Sequence, residues 1–122
     1  MKKDIDIPKV EGVYVAVAKE DNGEGEMIWN VYLVNDKDSP LESVFVSSKG
    51  YLKAVDGTET KTSTLRHNLK DIPAKTSIKI EPIMPNVFKL NNEYLVSFFL
   101  DGKMFDKKFI FLSETIKDSN LS

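Results

Sequence analysis

Apolar and polar residues alternate with a period of two along most of the chain, and this period is typical of β-strands. In the first such segment, Val13, Val15 and Val17 share one face. Residues 27–35 are apolar on both faces, which indicates a central strand covered on each side. The segments with strand-like patterns are residues 12–19, 27–35, 41–48, 51–55, 58–64 (an edge strand or extended loop), 76–83 and both halves of 93–111.

One segment departs from this period. Leu65, Leu69 and Ile72 are spaced as on one face of a helix, with Ser63 or Thr64 available as a cap before them. Pro73 follows as a stop signal. One or two helical turns are therefore predicted between residues 65 and 72.

Residues 76–83 predict the direction of individual side chains. Strict alternation places Ile78 and Ile80 inward and Lys79 and Glu81 outward. On this pattern the Glu81 side chain points away from the core.

The segment 93–111 is typical of a β-hairpin with a two-residue turn at Asp101 and Gly102. With that turn, one face pairs Phe98 with Phe105 and Tyr94 with Phe109. The opposite face collects apolar side chains around Ser97, Asp106 and Lys108, and this mixed surface predicts an interface with a second copy. The predicted interface residues are Leu95, Phe99, Met104 and Ile110.

Taken together, the strands and turns predict an all-β fold, an immunoglobulin-like antiparallel β-sandwich of seven to eight strands with at most one short helix. A partly open β-barrel is the alternative. The 122 residues suit a single domain, residues 1–122, with an ordered core of about residues 10–113 and a polar tail that frays.

Charge and composition narrow the function classes. With 17 basic and 19 acidic residues the net charge is −2, so no nucleic-acid partner is expected. The chain has no cysteine, which removes disulfides and thiolate chemistry. Its first residues lack the apolar run of a signal peptide or membrane anchor, so the expected location is the cytoplasm, without a membrane partner.

No motif for a cofactor or a metal ion is found. His67 is the sole histidine and lacks the further nitrogen or sulfur ligands of a zinc site. The acidic segments 20–26 and 35–40 do not match a calcium-binding loop, and no glycine spacing suits a phosphate. The segments richest in polar donors are predicted to bind a ligand through Ser48, Lys49, Arg66 and His67.

Several strings resemble a family of small, uncharacterised cytoplasmic bacterial proteins. They are WNVYLVNDKD (29–38), SKGY (48–51), KTSTLRH (61–67), NNEYLVSFF (91–99) and KKFIF (107–111). Some members carry a phenylalanyl-tRNA synthetase label. The resemblance implies a compartment but no mechanism, because one arginine and a net negative charge do not suit ATP and tRNA binding.

The leading prediction is a non-enzymatic β-sandwich interaction module that self-associates or binds a protein partner. The alternative is a small-ligand binding protein, or an enzyme, with a polar site near Arg66 and His67.

Overall fold

The computed structural model describes residues 11–84 and 89–112, and those residues form eight antiparallel strands and no helix. The described residues accordingly contain no helix that could span a membrane. The predicted all-β class is confirmed; the polar tail from Ser113 onward lies outside the described residues. The strands are β1 (Val13–Asp21), β2 (Met27–Asn35), β3 (Leu41–Lys53), β4 (Glu59–Lys61), β5 (Leu65–Ile72), β6 (Thr76–Ile83), β7 (Asn91–Leu100) and β8 (Lys103–Phe111).

The strands form two sheets with the core between them. One sheet has the order β1-β2-β6, and the other has the order β4-β3-β7-β8, with β5 paired to β3 beside β4. An immunoglobulin-like sandwich fits this arrangement. The core includes Val13, Val31, Leu33, Leu41, Val44, Val46, Ile72, Tyr94, Val96 and Phe98, each at most 1% exposed.

Strand β5 replaces the predicted helical turns, and that prediction is wrong. Leu65, His67 and Leu69 alternate inward as in any strand. Lys70 then adopts a positive φ of 61° and the pairing with β3 shifts register, so that Ile72 also points inward. A period of two interrupted by a bulge therefore gives the same apolar spacing as a helix.

The hairpin of β7 and β8 matches its prediction in detail. Phe98 lies opposite Phe105 and Tyr94 lies opposite Phe109, and the turn consists of Asp101 and Gly102. Both turn residues have positive φ, 53° and 78°, as the tight hairpin turn requires. The Phe98 and Phe105 rings stack in the core with centroids 5.8 Å apart.

Lys107 joins the two sheets along the side where β8 meets β1. It points inward from β8, and its Nζ donates to the Val13 carbonyl oxygen at 2.8 Å. The same ammonium lies 5.2 Å from the centroid of the Phe109 ring. An inward charge on an edge strand also disfavours pairing of that edge with another chain.

Candidate functional site

Glu81 points into the sandwich because strand β6 contains a bulge. Ile78 lies opposite Leu33, but Glu81 lies opposite Val31, so Ile80 has no residue across from it. The extra residue reverses the side-chain direction from Glu81 onward. The prediction that Glu81 points outward is therefore wrong: its side chain points between the sheets and is 13% exposed.

The Glu81 carboxylate accepts hydrogen bonds from three described side chains of the opposite sheet. Oε1 accepts from the Ser48 hydroxyl at 2.9 Å and lies 2.7 Å from His67 Nε2. Oε2 accepts from the Tyr94 hydroxyl at 3.0 Å. Because an ionised carboxylate only accepts, this geometry requires the imidazole proton on Nε2. We call these four residues the Glu81 cluster, and it links β6 to β3, β5 and β7.

A cleft of about 340 Å³ opens beside the Glu81 cluster. Ser48, Glu81 and Tyr94 contribute to its lining, together with Gly50, Asn92 and the segment that connects β4 to β5. At Gly50 an added Cβ would lie 3.0 Å from Leu90 Cδ1 and 3.2 Å from Thr62 Cγ2, so a side chain there would crowd this end of the cleft. The volume lies near the lower end of the range of about 300 to 1,000 Å³ for small-molecule sites.

The four residues that the sequence predicts as ligand-binding divide between two surfaces. Ser48 and His67 meet at the Glu81 carboxylate, whereas Lys49 lines the edge of the cleft and its ammonium lies on the outer face, 3.8 Å from Glu93. Arg66 lies opposite Ser47 on the outer face of the five-stranded sheet, because neighbouring residues of a strand point to opposite sides. The structure does not bring Arg66 to the cleft.

Glu81 and Tyr94 are the members of the cluster that the sequence pattern does not identify as site residues. One signal was present: Pro82 follows Glu81 directly, and proline within a sheet is confined to edge strands and bulges. Strand β6 is an edge strand with a bulge two residues before this proline. The position of Pro82 is therefore a sequence signal for a bulge beside Glu81.

Ser48, His67 and Tyr94 each bond directly to Glu81, and they do not form a chain that passes a proton from one residue to the next. A serine nucleophile is activated when a histidine accepts its proton and an acid orients that histidine. Here Ser48 and His67 both contact the same oxygen of Glu81. The arrangement holds a carboxylate in place, and it does not provide Ser48 with a histidine base.

Tyr94 is 1% exposed, and its surroundings make loss of the hydroxyl proton less favourable than in water. Burial, the charge of Glu81 and the hydrogen bond to Glu81, in that order, raise the pKa of Tyr94 above its ordinary value. The folded state therefore keeps this proton to a higher pH than the unfolded chain does. The associated stability is fully present below about pH 10, the ordinary tyrosine pKa, and is lost as the pH rises above it.

Replacement of Tyr94 by phenylalanine is expected to flatten the alkaline decline of stability. Above about pH 10 the free energy of unfolding of the unmodified protein should fall more steeply than that of Tyr94→Phe, by up to about 1.4 kcal/mol per pH unit. Urea unfolding at several pH values between 8 and 12 measures this difference. Ser48→Ala removes another donor to Glu81 without removing a phenol, so its pH dependence should match the unmodified protein. Equal slopes for Tyr94→Phe and the unmodified protein would contradict the assignment.

A second surface lies on the outer face of the five-stranded sheet. Cross-strand pairing places Phe99 opposite Met104 and puts Phe45 diagonal to Phe99. No described strand packs over this face. Its large apolar side chains, which we call the apolar face, are Phe45 (41% exposed), Leu95 (36%), Phe99 (40%), Met104 (61%) and Ile110 (44%). All four residues predicted for an interface belong to it.

The charges on the same face balance. Glu93 lies 3.8 Å from the Lys49 ammonium and 4.0 Å from the Lys108 ammonium. Pairing places four acidic and four basic described side chains on this outer face: Glu42, Glu59, Glu93, Asp106, Lys49, Lys61, Arg66 and Lys108. Together, these described side chains carry no net charge.

The outer face of the three-stranded sheet has a different character. Glu20 accepts hydrogen bonds from the Tyr32 hydroxyl at 2.5 Å and from Asn30 Nδ2 at 2.8 Å. These bonds, that of Tyr32 first, lower the pKa of Glu20. A polar network thus occupies part of this face.

The described part of the chain holds no group of three or more histidine, cysteine or acidic side chains placed to bind a metal ion. Fold and site together define a two-sheet, all-β protein with a largely buried carboxylate between its sheets. Comparison of the chain with protein-family models and with curated proteins gives no match. The resemblance drawn from its sequence strings stays a prediction.

Proposed function

We propose that the protein is a non-enzymatic interaction module that self-associates through the apolar face of its five-stranded sheet. The observation that carries this proposal is the exposure of five large apolar side chains on one continuous sheet surface. Monomeric proteins seldom expose a connected apolar patch of that kind without using it.

The size of this surface supports an interface. Strands β5, β3, β7 and β8 together present a face of roughly 600 Å², from their spacing and their rise per residue. A standard protein interface buries about 800 Å² on each partner. The face is therefore of the size expected for a modest, reversible dimer.

Charge balance supports a second copy as the partner. Two copies of a face without net charge can associate without overall electrostatic repulsion. A strongly charged partner would gain little electrostatic attraction from such a face. Asp106 and Lys108 lie two residues apart on β8. In a two-fold contact, Asp106 of one copy can therefore lie near Lys108 of the second copy, and the reverse. Because Lys107 disfavours pairing at the β8 edge, the contact is expected face to face.

Replacement of Phe99 by lysine tests the proposal. The unmodified protein should show a concentration-dependent dimer in sedimentation velocity, and Phe99→Lys should raise the dimer dissociation constant at least about 30-fold. The reason is that the change removes a central aromatic contact and buries a charge. Phe99 is 40% exposed, so the monomer should remain folded.

Tyr14→Lys is the matched control. Tyr14 is 44% exposed on the outer face of the other sheet, and this variant should dimerise like the unmodified protein. A strict monomer at the highest concentration measured overturns the proposal. Loss of the dimer in Tyr14→Lys with an intact dimer in Phe99→Lys would place the interface on the other sheet.

A further inference from the structure

We propose that the cleft beside the Glu81 cluster binds a small aliphatic ammonium compound, with the Glu81 carboxylate as the recognition group. This site is separate from the apolar face, because the cleft opens between the sheets and its inner wall is formed by inward-pointing residues. It is therefore a function additional to self-association.

The charge at the cleft is the first argument. Among the described lining residues, Glu81 is the acid and Lys49 is the base. The Lys49 ammonium lies 3.8 Å from Glu93 on the outer face, so its charge is already compensated there. His67 is neutral when it carries a single ring proton, on Nε2, and in that form it leaves the Glu81 carboxylate as the charge inside the cleft, where it favours a cation.

The remaining hydrogen-bond capacity of Glu81 is the second argument. A carboxylate offers about four acceptor positions. The described donors use three of them, with two at Oε1 and one at Oε2. One acceptor position at Oε2 is left for a donor from a ligand, and an ammonium group supplies a charge-assisted hydrogen bond there.

The apolar side chains that line the cleft indicate that the rest of the ligand is a hydrocarbon. Leu65, Ile83 and Met84 line the cleft, and Leu65 and Met84 are 51% and 66% exposed. A short hydrocarbon stem can cover part of these side chains while its ammonium reaches the carboxylate. Since the cleft is small, we infer a ligand with one ammonium group on a chain of a few carbon atoms.

Three probes of equal length test the charge requirement: n-butylammonium, n-butanol and butanoate. Each is titrated into the ¹⁵N-labelled protein, and amide shifts are followed by NMR. Butylammonium should shift the amide signals of Ser48, Gly50 and Asn92 in a saturable way, and its affinity should exceed that of the other two about ten-fold or more. Equal affinity for butanoate, or no saturable shift, overturns the proposal.

Two variants connect binding to the cleft. Glu81→Gln keeps the shape and an acceptor oxygen but removes the charge, so the affinity for butylammonium should fall about ten-fold or more. Glu42→Gln removes an exposed carboxylate outside the cleft and should bind like the unmodified protein. Unchanged affinity in a folded Glu81→Gln overturns the proposal.

Ser63→Lys provides an independent test if Glu81→Gln does not fold. Ser63 is exposed and lines the cleft, so a lysine there introduces a competing ammonium without disturbing the core. The affinity for butylammonium should again fall about ten-fold, and unchanged affinity contradicts the site. Glu81 and Ser63 both lie outside the apolar face, so Glu81→Gln and Ser63→Lys should dimerise like the unmodified protein. A loss of ligand binding with an intact dimer therefore distinguishes this proposal from self-association.

Discussion

Replacement of Glu81 by alanine is expected to lower the free energy of unfolding by about 3 to 5 kcal/mol, because it leaves the buried donors without an acceptor. Tyr94 and Ser48 are 1% and 5% exposed, so their hydroxyls have little contact with bulk water although both residues line the cleft. Each buried donor that loses its partner costs about 1 to 3 kcal/mol. The removed side chain also leaves space between the sheets. Urea unfolding at neutral pH measures the change.

Glu93→Ala is a closely matched control. The Glu93 side chain is 15% exposed against 13% for Glu81, but its partners are surface lysines at 3.8 and 4.0 Å. Such ion pairs contribute about 0 to 1 kcal/mol. If Glu93→Ala were as destabilising as Glu81→Ala, the low exposure of the two side chains would explain the loss of stability, and the hydrogen bonds of the Glu81 cluster would not.

A double-mutant cycle with Tyr94→Phe sharpens this result. Because the two residues share a hydrogen bond, the double variant should lose less free energy than the sum of the single variants. Additive losses would mean that the 3.0 Å contact between Tyr94 and Glu81 contributes little to stability.

Asn35→Ala is the second change with a large expected effect, a loss of about 2 to 4 kcal/mol. Asn35 is fully buried, and its Nδ2 donates to the carbonyl oxygens of Ser39 at 3.0 Å, Ile72 at 3.3 Å and Pro73 at 3.0 Å. Its Oδ1 accepts from the Lys37 backbone amide at 3.1 Å. One side chain therefore ties the turn after β2 to the turn between β5 and β6. Thermal and urea unfolding both measure the loss.

Asn22→Ala provides the comparison for Asn35. Asn22 also organises a turn, since its Oδ1 accepts from the backbone amides of Glu24 and Glu26, but that turn is exposed. Water can replace these bonds, so the expected loss is below about 1 kcal/mol. A small effect at Asn35 would indicate that the two turns keep their conformation without its amide.

The hairpin of β7 and β8 could be predicted from sequence because its information is local. Asp101 and Gly102 suit a two-residue turn, and that turn determines which residues lie opposite each other. The separation of Phe98 from Phe99 onto opposite faces follows directly. The members of the apolar face on this hairpin could therefore be named from the sequence.

Strand β5 and the direction of Glu81 could not be predicted because both depend on bulges. A bulge adds one residue to one strand of a pair, and its position is determined by the neighbouring strand. Near Lys70 it makes a strand imitate helical spacing, and at Ile80 it turns a charged residue from the surface into the sandwich. Neither pairing partner is close in sequence.

The alternation of apolar and polar side chains was enough to predict an all-β protein, the hairpin of β7 and β8, and an exposed apolar surface on that hairpin. These properties depend on the period of two and on one turn. Only the packed sheets decided that Ser48, His67 and Tyr94 meet Glu81, because the four residues come from four strands and one of them is turned by a bulge. Long-range pairing, which alternation does not encode, produced the cluster and its cleft.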